Sequence, residues 1–417
     1  LIWAFLMKLH VSEVLTLIFI EITPSLVSVY LVYGIGKELY DERVGLFSAL
    51  LFSVSWLHLF YSVRIMTDIP SLFLSLLSIY FFVKSYKDME LKGFSLSILF
   101  LSLAVLMRYS YGLIGFAYLI FFGIVHREKI LGKKNFWIGG IIGVIPLIIF
   151  FLANLISSGN LFPAVGSYAE SAADKPEFAY YVFGFMPHIL RSVLLGLFIV
   201  GGVLVLGELI IGYNFLYKVK KLRSHAFLVI LLIVSLGFFV YIIKAAEDRY
   251  LLMIFPSVLI FGSIALIKIY DFLKGYSKQF AMILIAILLL FSSYQQLTFA
   301  NSMIGLKTAS FLPMKQAFVW IGENTPKDSV ILGDWADPYA IYYSERRLGA
   351  FPTPLVNLDN FSLDGVDYFT LTSVHQPTPV VVDFANRMAQ EGKITPIQVF
   401  FFDETQQQPA VIIYKVN

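Results

Sequence analysis

The sequence predicts an α-helical polytopic membrane protein with about ten transmembrane helices and a small C-terminal α/β domain. Only 14% of the 417 residues are charged and 58% are hydrophobic, with a mean hydropathy of +0.78. A soluble chain carries about 25% charged residues. Apolar runs long enough to cross a bilayer recur as far as Tyr294, and beyond it polar residues alternate with short apolar runs. The change at this point predicts a soluble unit after the last crossing.

The membrane domain is predicted to occupy residues 15–296. Residues 1–14 are interpreted as the end of an outer loop that contains an interfacial helix. The predicted crossings are 15–33, 44–60, 70–83, 93–107, 111–125, 136–155, 193–217, 226–243, 250–267 and 280–294. In the α/β domain, residues 297–417, the pattern predicts helices at 313–323, 338–344 and 380–391 and strands at 329–332, 368–371, 397–402 and 410–414.

The cations of the loops predict the orientation of the chain, because Lys and Arg prefer the cytoplasmic side. Alternate loops are rich in them, as at 127–134 and 218–223, whereas the intervening loops hold few. The cation-poor loops, and with them the α/β domain, are therefore expected to be extracytoplasmic. The first crossing then runs inward, and the chain opens on Leu1 rather than Met. Both features indicate a fragment whose natural start lies upstream.

Composition also excludes several classes of function. The chain has no cysteine, and its six histidines are scattered without ligand spacing, so neither disulfides nor a zinc site is predicted. The net charge of +3 resides in short loops between apolar runs, which does not indicate a nucleic-acid partner. No Gly-rich phosphate loop follows the first strand of the α/β domain. No cofactor is expected, and nothing in the sequence demands a metal, so metal dependence stays open.

The first candidate site is the stretch from Arg64 to Pro70, which lies between two apolar runs in a predicted outer loop. Asp68 would be a general base for an acceptor hydroxyl or would position it, and Arg64 would meet an anion. A helical stretch would put both on one face. The alternative is a helix start capped by Thr67 or Asp68, and spacing alone favours this cap.

The second candidate site is another predicted outer loop with mixed charge. It contains Lys244, Glu247, Asp248, Arg249 and Tyr250. Its cations would hold a phosphate, Arg as a two-pronged donor and Lys as a point charge. The alternative is a solvated loop whose charges pair among themselves, each pair contributing about 0–1 kcal/mol.

Three further charged residues stand inside or beside apolar runs. Glu21 lies within the first crossing, where a buried acid is costly enough to be a substrate-binding candidate. Arg108 is a weaker candidate, because snorkelling to the interface is favoured for it. Glu208 has the same status as Glu21 but lies nearer the cytoplasmic side, so it ranks lower. The aromatic-rich loop 157–188 is interpreted either as a lid or as an interfacial belt.

An ordered set of short motifs resembles the GT-C glycosyltransferases. These are VYGIGKELY at 32–40, RVGL at 43–46, RIMTD at 64–68 and RYLL at 249–252, followed by Pro256. Within that superfamily the chain is most similar to glycosyltransferase family 39, the dolichyl-phosphate-mannose protein mannosyltransferase and aminoarabinose transferase group. The likeness extends to about Tyr294, and the outer α/β domain fits the same architecture.

The resemblance implies a function and roles for particular residues. Family members transfer a sugar from a polyprenyl phosphate, usually with inversion, to an acceptor on the outer face, without a redox cofactor. Asp68 matches the acid of the second outer loop, and the Arg249–Tyr250 region would lie near the donor phosphate. The principal catalytic acid of the family lies in the first outer loop, which is expected upstream of Leu1. By this reading the fragment alone would be inactive.

The sequence therefore predicts a membrane glycosyltransferase that uses a polyprenyl (dolichyl) phosphate sugar donor and a protein, lipid or glycan acceptor. Membrane lipids would surround it in the cell membrane. One alternative is a transporter or lipid flippase, which would need inverted repeats and charges near the midplane. Another is a catalytically inactive protein that keeps the fold and binds glycans through its outer domain.

Overall fold

A computed structural model describes most of the chain. The described residues are 9, 11–86, 90–125, 134–161, 178–243, 247–308, 311–333, 339–351, 358, 361–374, 378–402, 405 and 407–417. The chain divides into two compact units, Leu1–Asn301 and Ser302–Asn417. Apart from Leu9, the interfacial helix expected near the start lies outside the described residues.

The described part of the first unit is built from helices. They are α1 Glu13–Leu39, α2 Glu42–Ser53, α3 Trp56–Ser62, α4 Asp68–Ser85, α5 Leu91–Met107, α6 Tyr109–Val125, α7 Lys134–Ser158, α8 Met186–Gly212, α9 Lys220–Ile243, α10 Phe255–Leu273 and α11 Lys278–Thr308. A π-helical turn, Ile18–Ile22, interrupts α1, and another, Phe238–Ile243, ends α9.

Among the described residues, seven helices are long and apolar enough to cross a membrane, or eight if α2 and α3 form one span bent by 57°. The helices α5 and α6 are shorter and also apolar. The predicted polytopic helical membrane protein is thus confirmed. The structure corrects the predicted crossing at 44–60, which is broken near Ser55 because the backbone there adopts an extended conformation.

Small residues let some of these helices approach closely. A side chain at Gly201 of α8 would overlap the backbone carbonyl of Phe261 in α10, and one at Gly45 of α2 would meet the Tyr33 carbonyl of α1. A hydroxyl hydrogen bond of 2.9 Å joins Ser48 to Ser263 across α2 and α10. Without water to drive apolar association, close packing and such hydrogen bonds hold helices together in a bilayer.

The described part of the second unit is a mixed sheet covered by two helices. Its elements are α12 Leu312–Asn324, β1 Val330–Gly333, β2 Arg347–Leu348, β3 Tyr368–Thr372, α13 Pro379–Gln390, β4 Ile394–Phe401 and β5 Pro409–Val416. The strand order is β2-β1-β3-β5-β4, with β1 parallel to both neighbours and the remaining pairs antiparallel.

Successive side chains of β1 point to opposite faces of the sheet, so the second unit has an apolar layer on each face. Ile331 packs with Phe318 of α12, and Leu332 packs with Phe384 of α13. The predicted strands and the helices at 313–323 and 380–391 are present. Within the predicted helix at 338–344 the structure describes only a π-helical turn, Ala340–Ser344.

Candidate functional site

Asp68 is the first residue of α4 and is almost completely buried, with 1% of its surface exposed. Its Oδ1 accepts a hydrogen bond from the guanidinium of Arg108, at the junction of α5 and α6. Its Oδ2 is buried and has no hydrogen-bond partner among the described residues. One oxygen of the carboxylate is therefore held, and the other remains available to a ligand.

The turn before α4 corrects two expectations. Arg64 and Asp68 do not share a helical face, because the residues between them are not helical and include two bends, and the helix begins only at Asp68. Thr67 occupies the position before the helix, but no side chain caps it. The Asp68 carboxylate does not cap the helix because it pairs with Arg108 instead.

Arg108 does not snorkel to an interface. Its side chain is 15% exposed, and its guanidinium pairs with Asp68. The same guanidinium lies over the ring of Tyr250, 5.8 Å from its centroid. Phe239 stacks on Tyr250 with the ring centroids 4.7 Å apart. The first candidate stretch and the second candidate loop are thus joined through Arg108.

In the second candidate loop, Arg249 pairs with Glu247 and also lies 5.8 Å from the Tyr250 centroid. Desolvation alone would lower the pKa of Arg249, but the hydrogen bond and charge of Glu247 raise it overall. Burial raises the pKa of Asp248, opposed by the charge of His188. The pairing of Arg249 with Glu247 agrees with the alternative interpretation of this loop, in which its charges pair among themselves. Lys244 lies outside the described residues.

A row of aromatic rings connects Arg64 to Arg191. Arg64 lies 4.8 Å from the Phe60 centroid and Arg191 lies 4.4 Å from the Phe299 centroid. Trp56 stands between these two rings, at centroid distances of 6.2 Å and 4.9 Å. Neither arginine has a carboxylate partner in the described part of the chain. The row therefore carries two cations whose charge is available to an anion.

Glu21 supports the turn between Arg64 and Asp68. It sits in the π-helical turn of α1, is fully buried, and accepts the backbone N–H of Met66 at 3.0 Å through Oε1. Its Oε2 is buried without a hydrogen-bond partner among the described residues. Glu21 thereby ties α1 to the segment that carries Asp68.

All the predicted site residues that the structure describes lie around the first turn of α4 and the Asp248–Met253 turn, linked by direct contacts or by electrostatic interaction. The Tyr61 hydroxyl lies within electrostatic reach of Arg64, Asp248 and Arg249. Sequence reasoning missed the roles of Trp56, His188, Arg191, Gln296 and Phe299. No spacing signal could have found them, because they come from three different helices.

Glu208 belongs to a different cluster, near the opposite end of α8 from Arg191. It accepts from His225 Nε2 at 2.8 Å and pairs with Lys221 at 2.5 Å and Lys268 at 3.2 Å. Among the described residues no group of three or more His, Asp or Glu side chains could hold a metal ion. Most of the predicted lid, residues 162–177, lies outside the described residues.

The described helices and the small mixed sheet define a polytopic membrane protein with a second, α/β unit. Residues 1–153 match the family described as dolichyl-phosphate-mannose-protein mannosyltransferase. The resemblance predicted from the sequence motifs is therefore confirmed. A search of curated protein sequences found no significant match.

Three solved structures illustrate the fold. The oligosaccharyltransferase of Archaeoglobus fulgidus, tethered to an acceptor peptide, has a TM-score of 0.60 at 15% identity, covering 85% of this chain and 57% of that one. ArnT from Cupriavidus metallidurans, bound to undecaprenyl phosphate, has a TM-score of 0.59 at 10% identity, covering 94% and 82%. The mycobacterial arabinofuranosyltransferase AftD has a TM-score of 0.52 at 12% identity, covering 93% and 33%. At these identities the likeness establishes the fold alone.

Proposed function

We propose that this protein is a membrane glycosyltransferase that moves a sugar from a polyprenyl phosphate to a hydroxyl of a protein, lipid or glycan on the outer face of the membrane. The observation that carries the proposal is the Asp68 carboxylate, which is buried, held by Arg108 through one oxygen and without a hydrogen-bond partner at the other among the described residues. The family match over residues 1–153 supports a lipid-linked donor, as does the similarity to ArnT, whose structure contains undecaprenyl phosphate.

In this reaction Asp68 would act on the acceptor side of the bond that breaks, and the cations would act on the phosphate side. The acceptor oxygen attacks the anomeric carbon, and the bond from that carbon to the phosphate oxygen breaks, leaving its electrons on the lipid phosphate. The proton of the acceptor hydroxyl passes to Asp68 Oδ2, while Arg108 keeps the carboxylate in place. A phosphate is already a good leaving group, so one base and a few cations suffice.

The leaving phosphate would be met by cations at the same end of the helices. Arg64 and Arg191 have no carboxylate partner among the described residues, and Arg249 shares its charge with Glu247. Guanidinium groups suit this role because their N–H donors match the geometry of phosphate oxygens. Lys244 is proposed to join them. The cation-poor loops support an outer location for this end and for the C-terminal unit.

The test is sugar transfer by membranes that contain the full-length protein, unaltered or as a variant, with labelled polyprenyl-phosphate sugars as donors. Asp68→Asn should lower the rate by about 10²- to 10⁴-fold, the usual contribution of a general base. Asp68→Glu keeps the charge beside Arg108 and tests the role should the Asn variant misfold. The matched control is Asp271→Asn, because Asp271 pairs with Lys274 on the surface, at the far end of α10 from the site. Unchanged transfer by Asp68→Asn would refute the proposed role of Asp68.

One observation favours a second function, glycan binding without catalysis. The second unit has a cleft of about 670 Å³ between the loop 361–366 and α13, lined by Arg387, Glu391 and Lys393 among others. A binding protein of this kind would retain labelled glycans saturably and transfer no sugar from any polyprenyl-phosphate donor. Turnover by the unaltered protein would exclude it.

A further inference from the structure

Two helical stretches of the first unit are interrupted, and the two interruptions lie close together. The first break separates α2 from α3, and Trp56 begins the helix that follows it. The second lies inside α8 at Arg191, whose backbone has φ 57° and ψ 170°. This combination is populated almost entirely by glycine, so an arginine there is strained and must be held by its surroundings.

The break in α8 frees backbone groups that helical hydrogen bonds would otherwise satisfy. Side chains of other helices take their place. The indole of Trp56 donates to the Ile189 carbonyl at 2.7 Å, and the amide of Gln296 donates to the Leu190 carbonyl at 2.9 Å. Gln295 accepts the N–H of Val193 at 3.3 Å. Buried backbone groups within a membrane need such partners. The break is therefore stabilised by specific side chains of other helices.

Gln296 also forms a hydrogen bond to the backbone at the break between α2 and α3. Its Oε1 accepts the backbone N–H of Trp56 at 2.9 Å, a donor that the first turn of α3 leaves without a helical partner. The Gln296 side chain is buried, with 1% exposure, and both ends of its amide are therefore engaged. The neighbouring Gln295 bonds to Val193 and Ser192 of α8. Of the two glutamines, Gln296 is the one whose hydrogen bonds among the described residues reach both breaks.

The two segments that Gln296 joins carry different parts of the site. The α3 segment bears Arg64 near its end and leads into Asp68, whereas the α8 segment bears His188 and Arg191. We propose that Gln296 is a positioning residue that fixes the separation between these two segments, and hence between the base at Asp68 and the cation at Arg191. The catalytic consequence rests on the proposed function, but the mechanical coupling does not.

The first experiment measures the coupling without any activity. Because the chain has no cysteine, single labels can be introduced cleanly. Spin labels at Ile65→Cys, before α4, and Ile199→Cys, beyond the break in α8, occupy residues that are 48% and 53% exposed. Gln296→Leu should shift or broaden the distance distribution between them, while the matched control Gln295→Leu should leave it close to that of the parent. An unchanged distribution in Gln296→Leu would overturn the inference.

The second experiment measures transfer. Gln296→Leu should lower kcat/KM for the lipid donor by about 10²-fold, the usual effect of misplacing reacting groups by about 1 Å, and should do so more than Gln295→Leu. If Gln296→Leu does not fold, Gln296→Met, which keeps the length without the amide, takes its place. Equal losses in the two glutamine variants would argue against a special role for Gln296. If the parent protein transfers no sugar, the proposed function fails while the distance measurement still decides the coupling.

Discussion

At the residue scale, two arginines of the site differ in how much of their ion pair is exposed to solvent. The side chains of Arg108 and Asp68 are 15% and 2% exposed, whereas those of Arg249 and Glu247 are 30% and 45% exposed. Removing one partner of a buried pair leaves an uncompensated charge and costs about 3–5 kcal/mol. An exposed pair contributes about 0–1 kcal/mol. Arg108→Ala should therefore lower the thermal unfolding temperature in detergent clearly, and Arg249→Ala should hardly change it. Similar losses would contradict this assignment of burial.

Candidate site residues could be singled out where charge interrupts apolar sequence, as at Glu21, Asp68 and Arg249. Their partners could not. Asp68 and Arg108 are forty residues apart along the chain, and only the packing of α4 against α5 brings them together. Gln296 carries no formal charge and lies among other polar residues of α11, so nothing in its local pattern distinguishes it from Gln295.

At the element scale, Glu208 joins three helices through one carboxylate. It belongs to α8, while Lys221 and His225 belong to α9 and Lys268 to α10. Hydrogen bonds to a charged group contribute about 1.5–3 kcal/mol each, less here because the Glu208 side chain is 31% exposed. Glu208→Ala should destabilise the protein by about 1–2 kcal/mol in thermal unfolding, leaving KM for the lipid donor unchanged. Glu208→Gln, which can still accept from His225, should fall in between. A lost transfer activity with normal unfolding would instead give Glu208 a functional role.

The positions of the helices could be predicted from the lengths of the apolar runs, but the breaks within helices could not. The crossing predicted at 70–83 is Asp68–Ser85, and the one predicted at 136–155 is Lys134–Ser158. The break at Ser55 escaped prediction because a run of apolar residues reads the same whether the backbone continues or turns. The crossing predicted at 193–217 starts just after Arg191, so the helical segment before that residue, and with it the break, was missed. Both breaks depend on side chains from other helices, which local sequence does not encode. The strand Arg347–Leu348 was missed because two residues are too few for an alternating pattern.

At the scale of the whole molecule, composition and the order of motifs were enough to predict the fold class. Structures with 10–15% identity share the fold over 85–94% of this chain. Shared apolar lengths and the sites of helix contact can therefore persist after most side chains have changed. The strand order of the second unit could not be predicted, because it joins strands distant in sequence, such as β3 and β5.

The orientation of the whole molecule in the membrane decides which leaflet supplies the donor. The absence of cysteine allows it to be measured with single exposed cysteines and a membrane-impermeant maleimide. Val63→Cys, beside Arg64, and Lys327→Cys, in the second unit, should react in intact cells. Tyr276→Cys, 80% exposed between α10 and α11, should react only after permeabilisation, because the cations around it are expected to hold that loop in the cytoplasm. The opposite labelling pattern would put Asp68 on the cytoplasmic side, and the donor would then have to be bound from the inner leaflet.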